Sequence, residues 1–364
     1  MNLRNFSGAQ ERRQFLEKKL AIKLEEIAKI GYNGNEVHCE NLIGGTTFPL
    51  GVAGPLNGHF IPLATTEGVL VASVNRGCKA IELSDGAEIA IETVGTTRGP
   101  VFETAGIKES LKFEQWLNDN FDNLKKEAEK TSSHLRLKKL EARITGRYVY
   151  VRFYYDTAEA MGMNMVTIAT DAINKLIETK TGIKCLAVSG NFCIDKKPAW
   201  LNFISGRGRR VWAEAIIKRQ VIESILKTTA KKIYQVWLAK CLIGSAMSGS
   251  LGFNSHYANI VAAFFAATGQ DLAHVAEGSQ GITVTELLDD GDLYFSVYLP
   301  SVMLGTVGGG TKLKIKKEAI AITAVKNTDE LAKVLGGAVL AGELSLLSSL
   351  SEGSLVKAHK KLGR

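Results

Sequence analysis

The sequence predicts a mixed fold, of α+β or α/β class, in which a small domain interrupts a larger one. The chain has 364 residues, enough for two domains or for one large domain with an insertion. Hydrophobic residues make up 45% of it and charged residues 23%, which is typical of globular proteins and not of disordered chains. Charged residues are dense over residues 108–147, and small and apolar residues return after about residue 184. This change of composition indicates where the insertion lies.

We expect three parts along the chain. Residues 1–35 form an N-terminal helical segment, residues 36–104 and 185–364 form the large domain, and residues 105–184 form the small inserted domain.

The N-terminal segment has the pattern of one amphipathic helix that ends near Gly31. Ser7 and Gln10 have the spacing of a capping box. The residues of its apolar stripe are Leu16, Leu20, Leu24 and Ile27.

The remaining elements follow from glycine content and periodicity. Residues 40–100 are rich in glycine with short apolar runs, which predicts buried strands or helices joined by tight turns. The insertion has a helical pattern up to about Lys130 and a strand pattern at 146–155. Further helices are predicted at 212–242, 254–276 and 329–350, the last interrupted at Gly336, Gly337 and Gly342.

Cysteine and histidine usage argues against disulfides and metals. The cysteines are odd in number and include no C-x-x-C pair, so we expect reduced thiols at Cys39, Cys78, Cys185, Cys193 and Cys241. The histidines also lack the spacing of metal ligands, and no metal site is expected.

Charge and hydropathy restrict the partners. The net charge is +8, but basic and acidic residues mostly alternate, so the surplus suits anionic small molecules better than nucleic acid. The N-terminus is polar, and the apolar run "IVAAFFAA" is too short to span a bilayer. We expect a cytoplasmic protein with no membrane partner.

Two glycine-containing loops are candidates for binding phosphate. "TVGGGT" offers main-chain N–H groups that a ligand can approach closely, although such a loop can equally be a tight turn. "AMGMNMV" places a glycine at the predicted start of a helix, although methionine packing would also explain it. Neither G-x-G-x-x-G nor a P-loop occurs, so any dinucleotide would bind without a Rossmann fingerprint.

Isolated charged residues are candidates for catalysis. Glu67 is the one formally charged residue in residues 51–74, and Asp271 follows the apolar run "NIVAAFFAATGQ". Such carboxylates are either functional or hydrogen-bonded to the main chain. Lys196 lies in "CIDKKPAW", which suits an exposed turn or an ammonium aimed at a developing oxyanion. His359 lies in a tail that would ordinarily be frayed.

Seven motifs along the chain occur in the same order as in one known protein family. They are "ENLIGGTTFPLGVAGPL", "ATTEGVLVASVNRGCKAI", "EAMGMNM", "CLAVSGNFCIDKKPA", "GSAMSGSLGFNSHYANIVAAFFAATGQD", "GTVGGGT" and "VLAGELSLLSSLSEGSLVKAH". Over nearly the whole chain the sequence resembles the soluble catalytic portion of 3-hydroxy-3-methylglutaryl-coenzyme A (HMG-CoA) reductases of the class I type.

The resemblance implies a reaction and catalytic residues. HMG-CoA would receive two hydrides from NADPH, or alternatively NADH, giving mevalonate and coenzyme A. Lys196 matches the lysine that stabilises the oxyanion, with Asp271 and Glu67 beside it. His359 would protonate the leaving thiolate, and Glu67 would donate a proton in the second reduction.

Further positions match by motif. Those expected to contact HMG-CoA are Ser73, Asn75, Arg76, Arg98, Ser189, Asn191, Asp195, Lys197, Lys227, Lys240 and Asn259. Those expected to contact the nucleotide are Ser132, Ser133, Glu159, Met161, Gly162, Met163, Asn164, Val307, Gly308, Gly309 and Gly310. Ser133 stands where NADPH-using members tend to have arginine, so the choice between NADPH and NADH stays open.

The family fold has a ferredoxin-like small domain that binds the nucleotide, and the family forms dimers with active sites at the subunit interface. At least a homodimer is therefore expected. The alternatives are NAD-dependent oxidation of mevalonate, thioester transfer through Cys78 or Cys193, and a basic binding protein on the same fold.

Overall fold

The computed structural model describes residues 3–32, 37 and 39–353, and helices and strands alternate along them. The helices are α1 Ala9–Leu20, α2 Glu25–Lys29, α3 Leu70–Glu82, α4 Ile107–Asp119, α5 Phe121–Glu129, α6 Met163–Thr181, α7 Trp200–Ser205, α8 Arg219–Val221, α9 Ala230–Trp237, α10 Ser245–Ser248, α11 Tyr257–Thr268, α12 Val275–Gly278, α13 Lys314–Ile322 and α14 Thr328–Glu352. Short 3₁₀ turns occupy Leu3–Asn5, Leu272–His274 and Gly309–Lys312, and π-helical turns occupy Ile222–Leu226 and Leu238–Gly244. The strands are β1 Leu50–Leu56, β2 His59–Ala64, β3 Glu88–Arg98, β4 Val101–Glu103, β5 Arg136–Thr145, β6 Tyr148–Asp156, β7 Lys184–Ala187, β8 Gly208–Ile217, β9 Ile282–Leu287 and β10 Leu293–Val302.

The strands pair antiparallel in a hairpin and a large sheet. Among the described residues, β1 pairs with β2, and an eight-stranded sheet has the order β7-β4-β6-β3-β8-β10-β9 with β5 paired to β6. The long strand β3 connects the two halves of this sheet, because residues 88–95 pair with β8 and residues 96–98 pair with β6. The predicted mixed fold is confirmed at this level.

Two hydrophobic cores lie on either side of that connection. The larger core gathers α3, α11 and α14 against β8 and β10. The smaller core is made almost wholly from residues 102–183, with Phe113, Phe153 and Ile173 fully or almost fully buried, and Met303 is added from outside this range.

The small-domain elements follow the sequence pattern. The helical pattern up to Lys130 is confirmed as α4 and α5, and the strand pattern at 146–155 is confirmed as β6.

The N-terminal helix is interrupted, so the prediction of one helix was wrong. Ala21 adopts a left-handed φ of 53° and ends α1, and α2 begins only at Glu25. The Glu17 carboxylate accepts the main-chain N–H of Leu24 at 2.8 Å, which stabilises the intervening turn.

The helix predicted for residues 212–242 was wrong at its start, because residues 212–217 belong to β8. Val211, Ala213 and Ala215 point into the core and Trp212 and Glu214 point away, which is the period of a strand. Pairing with β3 and β10 on its two edges outweighs the helical propensity of the alanines.

The predicted interruption of the last helix was also wrong, because α14 is continuous. Its glycines allow close packing: a Cβ on Gly336 would lie 2.5 Å from Val211 Cγ1, and one on Gly342 would overlap Ile260. By length and composition α14 could cross a membrane, but 78% of its most apolar window is buried within the chain, as in a core helix.

Replacement of Gly77 by alanine tests the close crossing of α3 and α14. A Cβ on Gly77 would overlap the main-chain carbonyl of Ala341, and a backbone carbonyl cannot turn away as a side chain can. We expect the free energy of unfolding to fall by about 1–3 kcal/mol or more, although alanine is the better helix former. Urea unfolding measures this, with Gly31→Ala as the control because no atom of the described residues lies within 4 Å of the added Cβ. Equal stabilities of the two variants would contradict the crossing.

Candidate active site

Lys196 and Asp271 form an ion pair between two loops. Lys196 lies in the segment between β7 and α7, and its Nζ is 2.7 Å from Oδ2 of Asp271. Asp271 precedes the turn Leu272–His274, and its Oδ1 accepts the N–H of Ala273 at 3.0 Å. The carboxylate therefore does both things that the sequence allowed: it caps a turn and it meets a charged partner.

The carboxylate of this pair has a lowered pKa, and both side chains are reachable from solvent. Burial acts to raise the pKa of Asp271, but the hydrogen bonds from Lys196 and Ala273 and the nearby charge outweigh it and lower this pKa below its ordinary value. The side chains are 38% and 36% exposed, so a substrate oxygen can approach the ammonium while Asp271 holds it.

Glu67 and Asn259 form a second contact of the candidate site. Glu67 lies just before α3, and its Oε2 accepts Nδ2 of Asn259 at 2.8 Å although 192 positions separate the two residues. Its main-chain N–H donates to Thr65 Oγ1 at 3.0 Å. Two predicted site residues are thus brought together, and Glu67 is half-buried and not enclosed by apolar side chains.

A cavity of about 700 Å³ is lined by Pro198, two residues after Lys196, and by Asn259, the partner of Glu67, whereas Lys196, Asp271 and Glu67 are not among its lining residues. Lys240, a predicted substrate contact, also lines it. Gln280 has both amide atoms buried in this wall with no hydrogen-bond partner among the described residues. The cavity has the size and the convergent polar groups of a small-molecule site.

A buried network supports the Lys196 loop, and sequence reasoning missed most of it. Arg207 is fully buried and donates to Asp195 at 3.0 Å and to Glu277 at 2.5 Å. Arg98, which was predicted, lies 3.9 Å from Asp195 and donates to Thr167 at 2.6 Å. Glu277 could have been suspected, since it is an isolated charge in "AHVAEGSQG" like Glu67 in its own segment.

One cluster in the described ranges has the composition of a metal site. Ligand atoms of Asp195, His274 and Glu277 lie within 4.8 Å of one another. Arg207 donates to both carboxylates and Arg98 lies 3.9 Å from Asp195, so two guanidinium groups already offset the two negative charges. We therefore treat the cluster as an ion-pair network.

Two predicted substrate residues contact α14 instead of Lys196. Ser73 Oγ lies 3.0 Å from Ser345 Oγ, and Arg76 donates to the Ser345 carbonyl at 2.5 Å and also to Ser349 Oγ. These contacts place Ser73 and Arg76 against the last turns of α14, just before the part of the chain that contains His359. His359 itself lies outside the described residues.

The other predicted substrate residues lie in turns and loops. Asn75 accepts the N–H of Gly54 at 3.1 Å, and Ser189 Oγ lies 3.6 Å from Cys193 Sγ. Lys197 turns back to the carbonyl of Asp195 at 3.2 Å. Asn191 and Lys227 have left-handed φ values of 64° and 60°, and Lys227 is exposed.

Two of the predicted nucleotide segments, residues 159–164 and 307–310, meet at the start of α6. Gly162 precedes α6 with φ 84°, and Ala160 forms a bridge with Val307. Glu159 fastens the two loops to α14, because its Oε2 accepts the N–H of Thr328 at 2.6 Å and Oγ1 of Thr306 at 3.2 Å.

This convergence leaves main-chain N–H groups available to an anion. Gly308 and Gly309 have φ values of 82° and 51°, and the first turn of α6 begins beside them with Asn164 exposed. Met161 and Met163 are held from behind, since the Met161 carbonyl accepts Thr96 Oγ1 at 2.8 Å and Met163 Sδ lies 2.9 Å from Arg207. A cofactor phosphate fits these groups. Gly310 packs against Gly269 at the rear of the same loop.

The guanidinium of Arg136 lies against the segment that contains Ser132 and Ser133. Ser132 Oγ accepts the N–H of His134, and the Ser133 carbonyl accepts Nη1 of Arg136 at 3.1 Å. The neighbouring lysines have other partners: Lys138 donates to the Thr93 carbonyl at 2.7 Å, and Lys139 pairs with Glu141 at 3.0 Å.

Comparison with known proteins agrees with this geometry. The family model described as hydroxymethylglutaryl-coenzyme A reductase matches residues 8–364. The 3-hydroxy-3-methylglutaryl-coenzyme A reductase of Methanothermobacter thermautotrophicus is 47% identical over 368 residues, covering 97% of this chain and 92% of the relative. Its namesake in Methanocaldococcus jannaschii is 47% identical over 373 residues, with the same coverage.

Solved structures extend the comparison to the fold. The class II 3-hydroxy-3-methylglutaryl-CoA reductase from Streptococcus pneumoniae, bound to NADPH in open conformations, aligns with a TM-score of 0.72 and 18% identity over 94% of this chain and 97% of that chain. At this identity the likeness shows a shared fold. The family resemblance is confirmed, and the class I assignment stays a prediction.

Alkylation of the thiols tests whether a cysteine could act as a nucleophile. Burial raises the pKa values of Cys78 and Cys241 to about 12, so almost no thiolate is present at neutral pH. Cys193 is also fully buried, whereas Cys39 is exposed. We expect iodoacetamide at pH 8 to modify Cys39 and to leave Cys78, Cys193 and Cys241 unmodified, as read by mass spectrometry of the folded protein. Rapid modification of Cys78 or Cys193 would restore the thioester-transfer alternative.

Proposed function

Because the chain belongs to the hydroxymethylglutaryl-coenzyme A reductase family, we propose that its cavity reduces HMG-CoA to mevalonate and coenzyme A with two reduced nicotinamide cofactors. The observation that carries the proposal is the solvent-accessible ion pair of Lys196 and Asp271. Pro198, two residues after Lys196, lines a cavity that Asn259, the partner of Glu67, also lines. Such an ammonium suits a carbonyl oxygen that gains negative charge.

The chemistry divides between these side chains. The bound cofactor supplies hydride, first to the thioester carbonyl and then to the aldehyde. Lys196 stabilises the oxyanion of each step, and Asp271 orients the ammonium through their 2.7 Å contact. Glu67, held by Asn259, donates the proton that completes the second reduction. His359 protonates the departing thiolate so that it does not add back to the aldehyde.

The nucleotide would bind the inserted domain, residues 105–184, which we propose to be ferredoxin-like and to lack a Rossmann site. The separate core of residues 102–183 supports this division. The pyrophosphate would meet the start of α6 and the glycine loop at residues 308–310. We propose NADPH as the cofactor, which the S. pneumoniae structure also binds. Arg136 then takes the place of the missing arginine at Ser133.

The assembly we propose is at least a homodimer in the cytoplasm, with the hairpin β1–β2 in the interface. Leu50 and Val52 on β1 and Phe60 on β2 are between 44% and 47% exposed, and Phe48 just before them is 50% exposed. Apolar side chains gathered in this way commonly mark a contact surface.

Replacement of Lys196 by alanine tests the proposed oxyanion role. Loss of the ammonium removes the donor to the developing charge, so kcat should fall about 100- to 1000-fold. Loss of NADPH absorbance on addition of HMG-CoA measures it. The matched control is Lys218→Ala, which removes another lysine from an ion pair, that with Asp85, and should keep full activity.

The outcomes separate the role from the function. No oxidation of NADPH or NADH by folded wild-type protein would refute the proposed function and favour the binding-protein alternative. Oxidation by wild type and Lys196→Ala at equal rates would refute only the role of Lys196.

Replacement of Arg136 by alanine tests the choice of cofactor. If its guanidinium meets the 2′-phosphate, a charged hydrogen bond is lost, and KM for NADPH should rise about 10- to 100-fold. KM for NADH, which lacks this phosphate, should change little. Steady-state kinetics with both cofactors measure the two values. Lys126→Ala, at an exposed residue of α5 in the same domain, serves as the control. A parallel rise for both cofactors would mean that Arg136 acts only on the loop.

A further inference from the structure

Glu277 is a buried carboxylate with a full set of donors, and the proposed chemistry does not use it. Its side chain at α12 is fully buried. Oε1 accepts Nη1 of Arg207 at 2.5 Å and contacts Nδ1 of His274, and Oε2 accepts Nδ2 of Asn202 at 3.0 Å. A buried charge is tolerated only when it is paired in this way. These partners connect the carboxylate of Glu277 to two other parts of the site.

One set of contacts leads to the Lys196 loop. The main-chain N–H of Lys196 lies 3.4 Å from Oε1 of Glu277, and Asn202 donates to the carbonyl of Ile194 at 3.0 Å as well as to Glu277. Ile194 and Lys196 have left-handed φ values of 48° and 59°. Such values are unfavourable for residues with a Cβ, especially a β-branched isoleucine, so contacts must hold the loop.

The other contact leads to Asp271. His274 is fully buried with Nδ1 against Glu277, and its Nε2 lies 3.8 Å from Oδ2 of Asp271 and 3.9 Å from Oδ1 of Asp195. Nε2 has no hydrogen-bond partner within the described ranges. The imidazole therefore lies between the buried carboxylate and the carboxylate that holds Lys196.

We propose that Glu277 is a positioning residue for Lys196, fixing the ammonium loop on one side and the Asp271 turn on the other. The proposal rests on the proposed function. A glutamine at this position has the same shape, but its NH₂ group would face a donor on Arg207 or on Asn202. Arg207 would keep only Asp195 as a charged partner. The separation of Lys196 Nζ and Asp271 would then no longer be fixed.

Glu277→Gln should therefore lower kcat and leave binding nearly intact. Loss of supporting hydrogen bonds typically costs about 10- to 100-fold in activity, and so does a displacement of about 1 Å at a reacting group. KM for HMG-CoA and for NADPH should change much less than kcat. A general loss of structure would alter both.

A second measurement needs no turnover. Trace acetylation with acetic anhydride, read by mass spectrometry, reports how firmly Asp271 holds the Lys196 amine, because an amine that leaves this contact is easier to acetylate. Lys197 is the internal control in the same peptide, since its Nζ contacts only the carbonyl of Asp195 among the described residues. We expect the labelling ratio of Lys196 to Lys197 to rise severalfold in Glu277→Gln.

Thr285→Val is the matched structural control. It removes one buried hydrogen bond, from Thr285 Oγ1 to the carbonyl of Tyr294 at 2.8 Å, in β9. This variant should keep the wild-type kcat and labelling ratio even if its melting temperature falls. If Glu277→Gln does not fold, His274→Gln tests the same path, because it removes the imidazole next to Asp271 but leaves Arg207 and Asn202 on Glu277.

The outcomes distinguish this inference from the proposed function. Wild-type oxidation of NADPH, with a lowered kcat and a raised labelling ratio in the folded variant, would support the positioning role. Unchanged kcat and labelling in the folded variant would overturn it. A wild-type protein without reductase activity would refute the function, while the labelling ratio would still report whether Glu277 controls Lys196.

Discussion

The ion pair of Arg207 and Glu277 is the constraint on which the site depends. Both side chains are fully buried, so neither can regain in water the solvation that it lost on folding. Breaking such a pair leaves a buried charge, at a cost of about 3–5 kcal/mol. The chain avoids this cost because Asp195, Asn202 and His274 complete the hydrogen bonds around the pair. Asp195 lies in the loop that carries Lys196, Asn202 lies in α7 directly after that loop, and His274 lies in the turn that follows Asp271.

The core scaffold makes this arrangement possible. Glycines at the crossings let α14 pass close to α3, β8 and α11, and those elements begin or end near the site. The buried Glu343 on α14 accepts the N–H groups of Ser255 and His256 at 2.8 and 2.7 Å, which fixes the start of α11. Asn259 lies in the first turn of α11 and reaches Glu67. Helix α14 thereby positions the start of α11, which forms one wall of the cavity.

Sequence patterns predicted the elements whose environment is local and missed those decided by tertiary contacts. The small-domain helices were predicted because each has one buried face and a regular period, and β6 because it is a run of β-branched and aromatic residues, of which 151–155 are all buried. The strand at Trp212 and the unbroken α14 were missed, since neighbouring strands and close helix crossings outweigh alanine and glycine propensities there. The pairing of Glu67 with Asn259 cannot be derived from spacing, because 192 positions separate them.

The reacting side chains are exposed and the supporting side chains are buried, because the two groups have different tasks. Lys196 and Asp271 are more than one-third exposed, since a substrate must reach the ammonium. Exposed side chains on a loop are mobile, and an ion pair in water holds two such chains only weakly. The rigidity must therefore come from the main chain beneath them, where the Lys196 N–H and the Ile194 carbonyl connect to fully buried side chains. Burial of Glu277, Arg207 and His274 keeps water from competing for these bonds. An ammonium that is both accessible and oriented thus requires buried side chains directly beneath its loop, with their hydrogen bonds satisfied and water excluded.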